Sequence, residues 1–259
     1  MTLHDQLDVT VEHESTRSPR TRRAWRYGTY ALGVLLAVGL VVGLLDRRPS
    51  EQPSPQQPVP APPTSAPTAA VPAAPGASRT EVGVPVGYQR TQAGAVAAAT
   101  NYLVAFTQPR MFQPLVRGQV LTVLAGPARA PDLIRSVNPG MDRAAETLQV
   151  DPNTGTSSMG QLVSRLVPVG YKVVSYSDSR ARIAIWCTSL AGVAGAESSM
   201  PVVTAWATDT VDLEWDGDWK WAGFVEAQGP TPVGTVNPPS PWGDVADAAS
   251  SFMPYGYGS

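Results

Sequence analysis

Residues 202–224 read VVTAWATDTVDLEWDGDWKWAGF, two strand-like runs around a turn. Val202–Trp215 is rich in β-branched and aromatic residues, and Asp216-Gly217 separates it from a second run, Trp219–Val225. An Asp-Gly pair between such runs signals a hairpin, because glycine takes φ > 0 without steric cost. The first run is long for a strand, so a bulge or bend is expected in its middle. Trp206, Trp215, Trp219 and Trp221 concentrate aromatic surface here, and core packing accounts for them more cheaply than a ligand does.

Working back along the chain, the same period of two appears in Tyr171–Tyr176 (YKVVSY) and in Ala181–Leu190. In the latter, Ile183, Ile185 and Cys187 alternate with Arg182, Ala184 and Trp186. Asp178-Ser179 joins the two runs as a turn, and Gly192 and Gly195 mark a loop after them. The segment LVSRLVP (162–168) has no firm assignment.

Before these strands the spacing is three and four. Thr91 caps a predicted helix to Phe106, whose apolar face is Val96, Ala99, Tyr102, Leu103 and Phe106, with Tyr88 placed to staple its entry. A second helix is expected over 115–125, stopped by Gly126-Pro127, and a weaker third over 131–148, interrupted by Pro139-Gly140. Helices followed by about four antiparallel strands predict an α+β domain over 81–228, its helices packed on a curved sheet. Residues 229–259, rich in Pro and Gly, read as an irregular tail whose Trp242, Phe252 and Tyr255 suit docking on a neighbour or on the sheet.

The N-terminal third has a different character. Residues 27–45, YGTYALGVLLAVGLVVGLL, contain no charge, and 19 such residues are enough to cross a hydrocarbon layer about 30 Å thick. Arg17, Arg20, Arg22, Arg23 and Arg26 precede the run, against Arg47 and Arg48 after it, which predicts a cytoplasmic basic tail (1–26) and an extracytoplasmic remainder. A cleaved signal peptide is the competing reading, but DRRPSEQ after the run lacks a small-x-small cleavage pattern. Gly39 and Gly43 form a small-xxx-small element suited to helix pairing, and hence to a homo-oligomer. The linker 46–80 follows, with ten prolines between residues 49 and 78. It is a semi-rigid spacer at about 3 Å per residue.

Composition narrows the chemistry. His4 and His13 both precede the apolar run, and Cys187 is the single cysteine. The predicted domain therefore excludes Ser-His-Asp, Cys-His and His-rich zinc sites. No P-loop, dinucleotide or EF-hand motif occurs, so no cofactor or metal is expected. From Thr80 onward 11 basic side chains face 15 acidic ones, which argues against direct nucleic-acid binding. Asp209, Asp212, Glu214, Asp216 and Asp218 are the acidic concentration, with Asp209 on the opposite strand face from Asp212 and Glu214. A solvated strand face and a hairpin turn explain them better than an acid/base pair or a hard-cation site. Tyr102 and Asp209 are the one pair that would share a pocket between helix and sheet, and Cys187 reads as a core residue rather than a nucleophile.

GVPVGYQRTQAGAVAAATNYLVAF, GYKVVSYSDSRARIAIWCTSL and the opening hairpin segment together resemble actinobacterial membrane-anchored proteins with a domain similar to nuclear transport factor 2 (NTF2-like) and to the VirB8/TcpC conjugation components. The resemblance covers roughly residues 82–226 plus the single preceding anchor. It implies a cone-shaped domain and a non-enzymatic role in assembling a membrane-spanning machine, such as a conjugative DNA-transfer system. The implied partners are the lipid bilayer and other membrane or secretion-system proteins. The same fold hosts isomerase-like enzymes and ligand-binding domains that use the cone pocket, and accessory proteins of lipid or cell-wall systems share this layout, so architecture alone does not choose among them.

Overall fold

The computed structural model describes residues 76–255. The basic tail, the apolar run with Gly39 and Gly43, and most of the proline-rich linker lie outside the described residues. Within them a short hairpin, β1 (Arg79–Glu81) and β2 (Val84–Val86), comes first. Helix α1 (Gln92–Phe106), a 3₁₀ turn (Pro109–Phe112), α2 (Pro114–Ala125) and α3 (Ala130–Thr147) follow. Four long strands come next: β3 (Gln161–Ser177), β4 (Arg180–Ala194), β5 (Val203–Trp215) and β6 (Trp219–Gln228). The chain closes with α4 (Trp242–Ser251) and β7 (Met253–Pro254). The fold is α+β, with an antiparallel five-stranded sheet in the order β6-β5-β4-β3-β7. No helix among the described residues is long and apolar enough to cross a membrane.

Helix α1 begins where its cap predicts: Thr91 is extended, and its Oγ1 accepts the backbone N–H of Gly94 at 3.1 Å. Its alanine-rich surface brings the helix close to the sheet, and it touches all four long strands. Tyr102 and Leu103 on α1, Leu121 and Leu124 on α2, and Ile183, Ile185 and Leu213 on the strands are all at most 1% exposed. Each such side chain contributes roughly 1.5–3 kcal/mol on burial. Tyr88 meets the ring of Tyr102 edge-on at 5.9 Å and its hydroxyl accepts from Asn101 at 2.8 Å, so it packs on the third turn of α1 instead of stapling the first.

Helix α3 runs unbroken through Pro139, where the sequence predicts an interruption. A proline inside a helix costs about 3 kcal/mol, and tertiary contacts on both sides offset it. Val137, Met141 and Ala144 are buried, while Asn138 Oδ1 and Asp142 Oδ1 accept from the fully buried Arg117 on α2 at 2.9 and 2.5 Å.

Strand β3 is far longer than Tyr171–Tyr176, because it absorbs LVSRLVP. Pro168 lacks an N–H, and a register shift follows it at once: Pro168 faces Cys187 and Gly170 faces Trp186, leaving Val169 as the extra residue of a bulge. Strand β4 likewise runs past Gly192 to Ala194, so Gly192 is part of the strand rather than of a loop.

The expected irregularity at β5 lies across the ladder instead. Asp212 faces Gly223 and Leu213 faces Trp221, so the extra residue is Ala222 on β6. At the turn, Gly217 has φ +71 and Trp215 pairs with Trp219.

Residues 229–259 are not wholly irregular, since they contain α4 and β7. Phe252 packs on Trp186 with ring centroids 6.3 Å apart, Tyr255 packs on Tyr171 at 5.2 Å, and its hydroxyl is 2.9 Å from Thr100 Oγ1. The segment therefore docks on its own sheet, whereas Trp242 stays 82% exposed. No local signal announces α4. Its sequence WGDVADAASS has no Ser, Thr, Asp or Asn at the N-cap, which is Pro241.

Candidate functional site

Three strands bring titratable groups to the face that the helices cover. On β4 the inward side chains are Ala181, Ile183, Ile185 and Cys187, and on β5 they are Asp209, Val211 and Leu213. Register places Ile185 and Glu226 on either side of Asp209, and Cys187 opposite Ala207. Cys187 therefore lies diagonal to Asp209 on one face.

The bulge at Ala222 is what makes Glu226 a neighbour. Between Trp215–Trp219 and Leu213–Trp221 the ladder keeps one register, which if continued would have set Val225 beside Asp209. One extra residue shifts every later pair, so Phe224 and Glu226 turn inward and Val225 is 43% exposed.

A cavity of about 110 Å³ opens beside these groups, where α1 ends. Small residues of the sheet (Ser164, Ser189, Ala191, Ala205 and Ala207) leave the space, and Leu103, Phe106, Phe112, Met141 and Phe224 wall it. Ser164 Oγ donates to the carbonyl of Thr107 at 2.6 Å and so ties β3 to the last turn of α1. Asp209, Glu226 and Cys187 also line the cavity.

The Cys187 thiol donates to Asp209 Oδ2 at 3.2 Å. Asp209 Oδ1 is buried with no hydrogen-bond partner among the described residues, and Asp209 as a whole is 3% exposed. Burial pushes the Asp209 carboxyl up to about 7, against a smaller opposing effect of the Cys187 hydrogen bond. Glu226 is pushed up to about 8, first by burial and then by the charge of Asp209. The Cys187 thiol is raised well above its ordinary value, first by burial and then by Asp209 and Glu226. Such a thiol is a poor source of thiolate. An unpaired buried carboxyl oxygen, by contrast, is a site for a donor group.

Tyr102 is not part of this constellation. It is fully buried and does not line the cavity, and its hydroxyl donates to the carbonyl of Trp219 at 2.7 Å. The pairing with Asp209 expected from the sequence therefore does not form; Glu226 and Cys187 are the partners instead. The other acidic residues of the hairpin are dispersed. Asp212 is 3.4 Å from Arg182, and Glu214 pairs with Arg129 and, at 3.4 Å, with Arg180. Asp218 accepts the backbone N–H groups of Gly87, Tyr88 and Trp219 at 2.7, 3.0 and 2.9 Å. Among the described residues no group of three or more His, Cys, Asp and Glu side chains is arranged to hold a metal ion.

Helices α1 to α3 on one face of an antiparallel sheet, with a mostly apolar, carboxyl-bearing cavity between the layers, define an α+β pocket domain. The chain belongs to the family of the domain of unknown function DUF8175, whose family model matches residues 46–238. That span takes in the linker and all the long strands and ends before α4. No curated protein matches the sequence. Among solved structures, the crystal structure of the intermembrane space region of chloroplast protein ARC6 is similar at 17% identity over 52% of this chain and 97% of that one, with a TM-score of 0.29.

Proposed function

We propose that the chain is a single-pass membrane protein whose extracytoplasmic domain, a cone of the NTF2-like kind, binds a small ligand in the cavity beside α1 and acts through binding rather than turnover. One observation carries this reading: the buried carboxyl of Asp209, whose Oδ1 has no partner among the described residues, belongs with Glu226 to the lining of a cavity otherwise rich in aromatic and aliphatic groups. The absence of histidine after His13 and the raised Cys187 thiol both favour binding over covalent or His-based catalysis.

The test is ligand-dependent stabilisation. Full-length protein in detergent should melt higher in the presence of compounds that fit the cavity, and Ala207→Phe, which fills it, should abolish the shift. Equal shifts in both proteins would overturn the reading.

A second reading concerns context. The uncharged run 27–45, its arginine flank and the sequence likeness to VirB8/TcpC-type proteins favour a component of an envelope-spanning assembly, with conjugative transfer as the leading case. Deleting the gene should then abolish transfer, and the full chain should co-purify with other membrane subunits. Normal transfer without it would remove this reading and leave the ligand site standing.

A further inference from the structure

We propose that the cavity receives a small organic ammonium ion, an amine on a compact apolar body, whose charge is held by the carboxyls of Asp209 and Glu226. The proposal rests on reading the cavity as a ligand site and specifies the chemistry of its occupant.

Four observations select that class. The carboxyls of Asp209 and Glu226 stand side by side across the β5–β6 ladder in the lining of the cavity, and while Asp209 Oδ2 accepts from the Cys187 thiol, Oδ1 has no partner among the described residues. Among the described residues no basic side chain answers them inside: Arg165 is the single basic residue of the lining, and it is exposed. An anionic ligand would meet two acids, and a hydrocarbon would leave Oδ1 unpaired.

The walls exclude a hydrated ion. Phe106, Phe112 and Phe224 line the cavity, and aromatic rings attract an ammonium group, whereas a hard cation takes six or more oxygen ligands. A volume of about 110 Å³ is below that of the roughly 150 Å³ enclosed cavities that admit benzene, but this cavity is open to the surface, so a benzyl ring can sit in its mouth with the ammonium group inside.

Binding carries a pH signature. The titratable or charged groups facing Asp209 are Cys187 from β4, Glu226 from β6 and, at the rim, Arg165 from β3. The lining residues of α1, the 3₁₀ turn and α3 are Leu103, Phe106, Phe112 and Met141, together with Thr107 and Gln108 at the end of α1, none of which titrates. Burial holds both carboxyls partly protonated near neutrality, at about 7 for Asp209 and about 8 for Glu226. An amine must therefore displace protons. Its affinity rises from pH 5.5 to 8, and near pH 7 binding releases protons.

The test compares benzylamine, benzyl alcohol and benzoate, three probes of one shape and different charge, by calorimetry on the full chain in detergent. Benzylamine should bind wild-type protein, more tightly at pH 8 than at pH 5.5, with a heat that changes with the buffer's ionisation enthalpy. D209N should weaken it by about tenfold or more, the scale of a lost charge-assisted hydrogen bond, and E226Q by less. Near-UV circular dichroism on both variants establishes that they are folded.

If benzyl alcohol or benzoate binds as well as benzylamine, or if D209N binds benzylamine unchanged, the ammonium assignment falls while the ligand site survives, provided Ala207→Phe abolishes that binding. If none of the three binds at either pH, the cavity holds water only and both readings fail.

Discussion

Cys187 donates its thiol hydrogen to Asp209 Oδ2 at 3.2 Å, diagonally across the β4–β5 ladder, and the residue is 1% exposed. Burial and two neighbouring carboxyls all oppose thiolate formation. Folded protein at pH 8 should therefore not react with 5,5′-dithiobis(2-nitrobenzoate) over minutes, and should release one equivalent of thionitrobenzoate once unfolded in guanidinium. Prompt labelling of the folded chain would show that Cys187 is reachable.

The same carboxyl predicts a pH dependence. Asp209 titrates near 3.8 when unfolded and at about 7 when folded, so between those values the native state holds the extra proton. Stability is full below about pH 4 and falls as pH rises through 7, at about 1.4 kcal/mol per pH unit for one such proton. Glu226 adds to the fall between 4.5 and about 8. Urea titrations should show Asp209→Asn gaining stability over wild type at pH 8 and not at pH 4.

Asp218 holds the first hairpin to the last. Its carboxylate accepts three backbone N–H groups, from Gly87, Tyr88 and Trp219, and the residue is 3% exposed. Asp218→Ala leaves those donors unpaired and should cost about 2–4 kcal/mol by urea unfolding. Asp218→Asn keeps an acceptor and should cost roughly half as much.

Arg117 is fully buried, and it donates to Asn138, Asp142 and the carbonyl of Met111. Arg117→Ala removes the clamp that spans Pro139 and should cost about 3 kcal/mol or more. Far-UV circular dichroism should lose helix signal first, from α3. An unchanged melting temperature would show that packing alone carries that helix.

Two glycines separate backbone strain from collision. Gly217 has φ +71 with open space around it, so Gly217→Ala should cost about 1 kcal/mol. Gly192 has φ +141, and a Cβ there would come within 2.5 Å of the Pro201 carbonyl oxygen. Gly192→Ala adds a backbone clash to the strain and should cost several times as much in a thermal melt.

Much of the framework is legible in the chain because it depends on neighbours in sequence. The Thr91 cap, the end of α2 at Gly126, the Asp216-Gly217 turn and the placing of Asp209 on the opposite face from Asp212 and Glu214 all follow from a cap, a φ > 0 residue or a period of two. The solvated setting expected for Asp209 and Asp218 does not hold, each being 3% exposed. The full length of β3 was not legible. Pro168 looks like a strand breaker until the bulge beside it is seen, and the bulge exists because β4 supplies a partner on either side. Helix α4 and β7 were hidden in the same way, since they are held by Trp186, Tyr171 and Thr100 rather than by local propensity.

The α+β order of elements, the charge asymmetry and the restriction of histidine to His4 and His13 belong to the sequence alone, because composition and short-range periodicity need no partner to act. The site does not. Asp209 could be assigned to a face, but its neighbours depend on register across two ladders, and one residue, Ala222, decides that Glu226 rather than Val225 stands beside it. Tertiary structure alone settles this, since a strand's side chains alternate with a period of two and a single inserted residue exchanges the face that meets the core for the face that meets water.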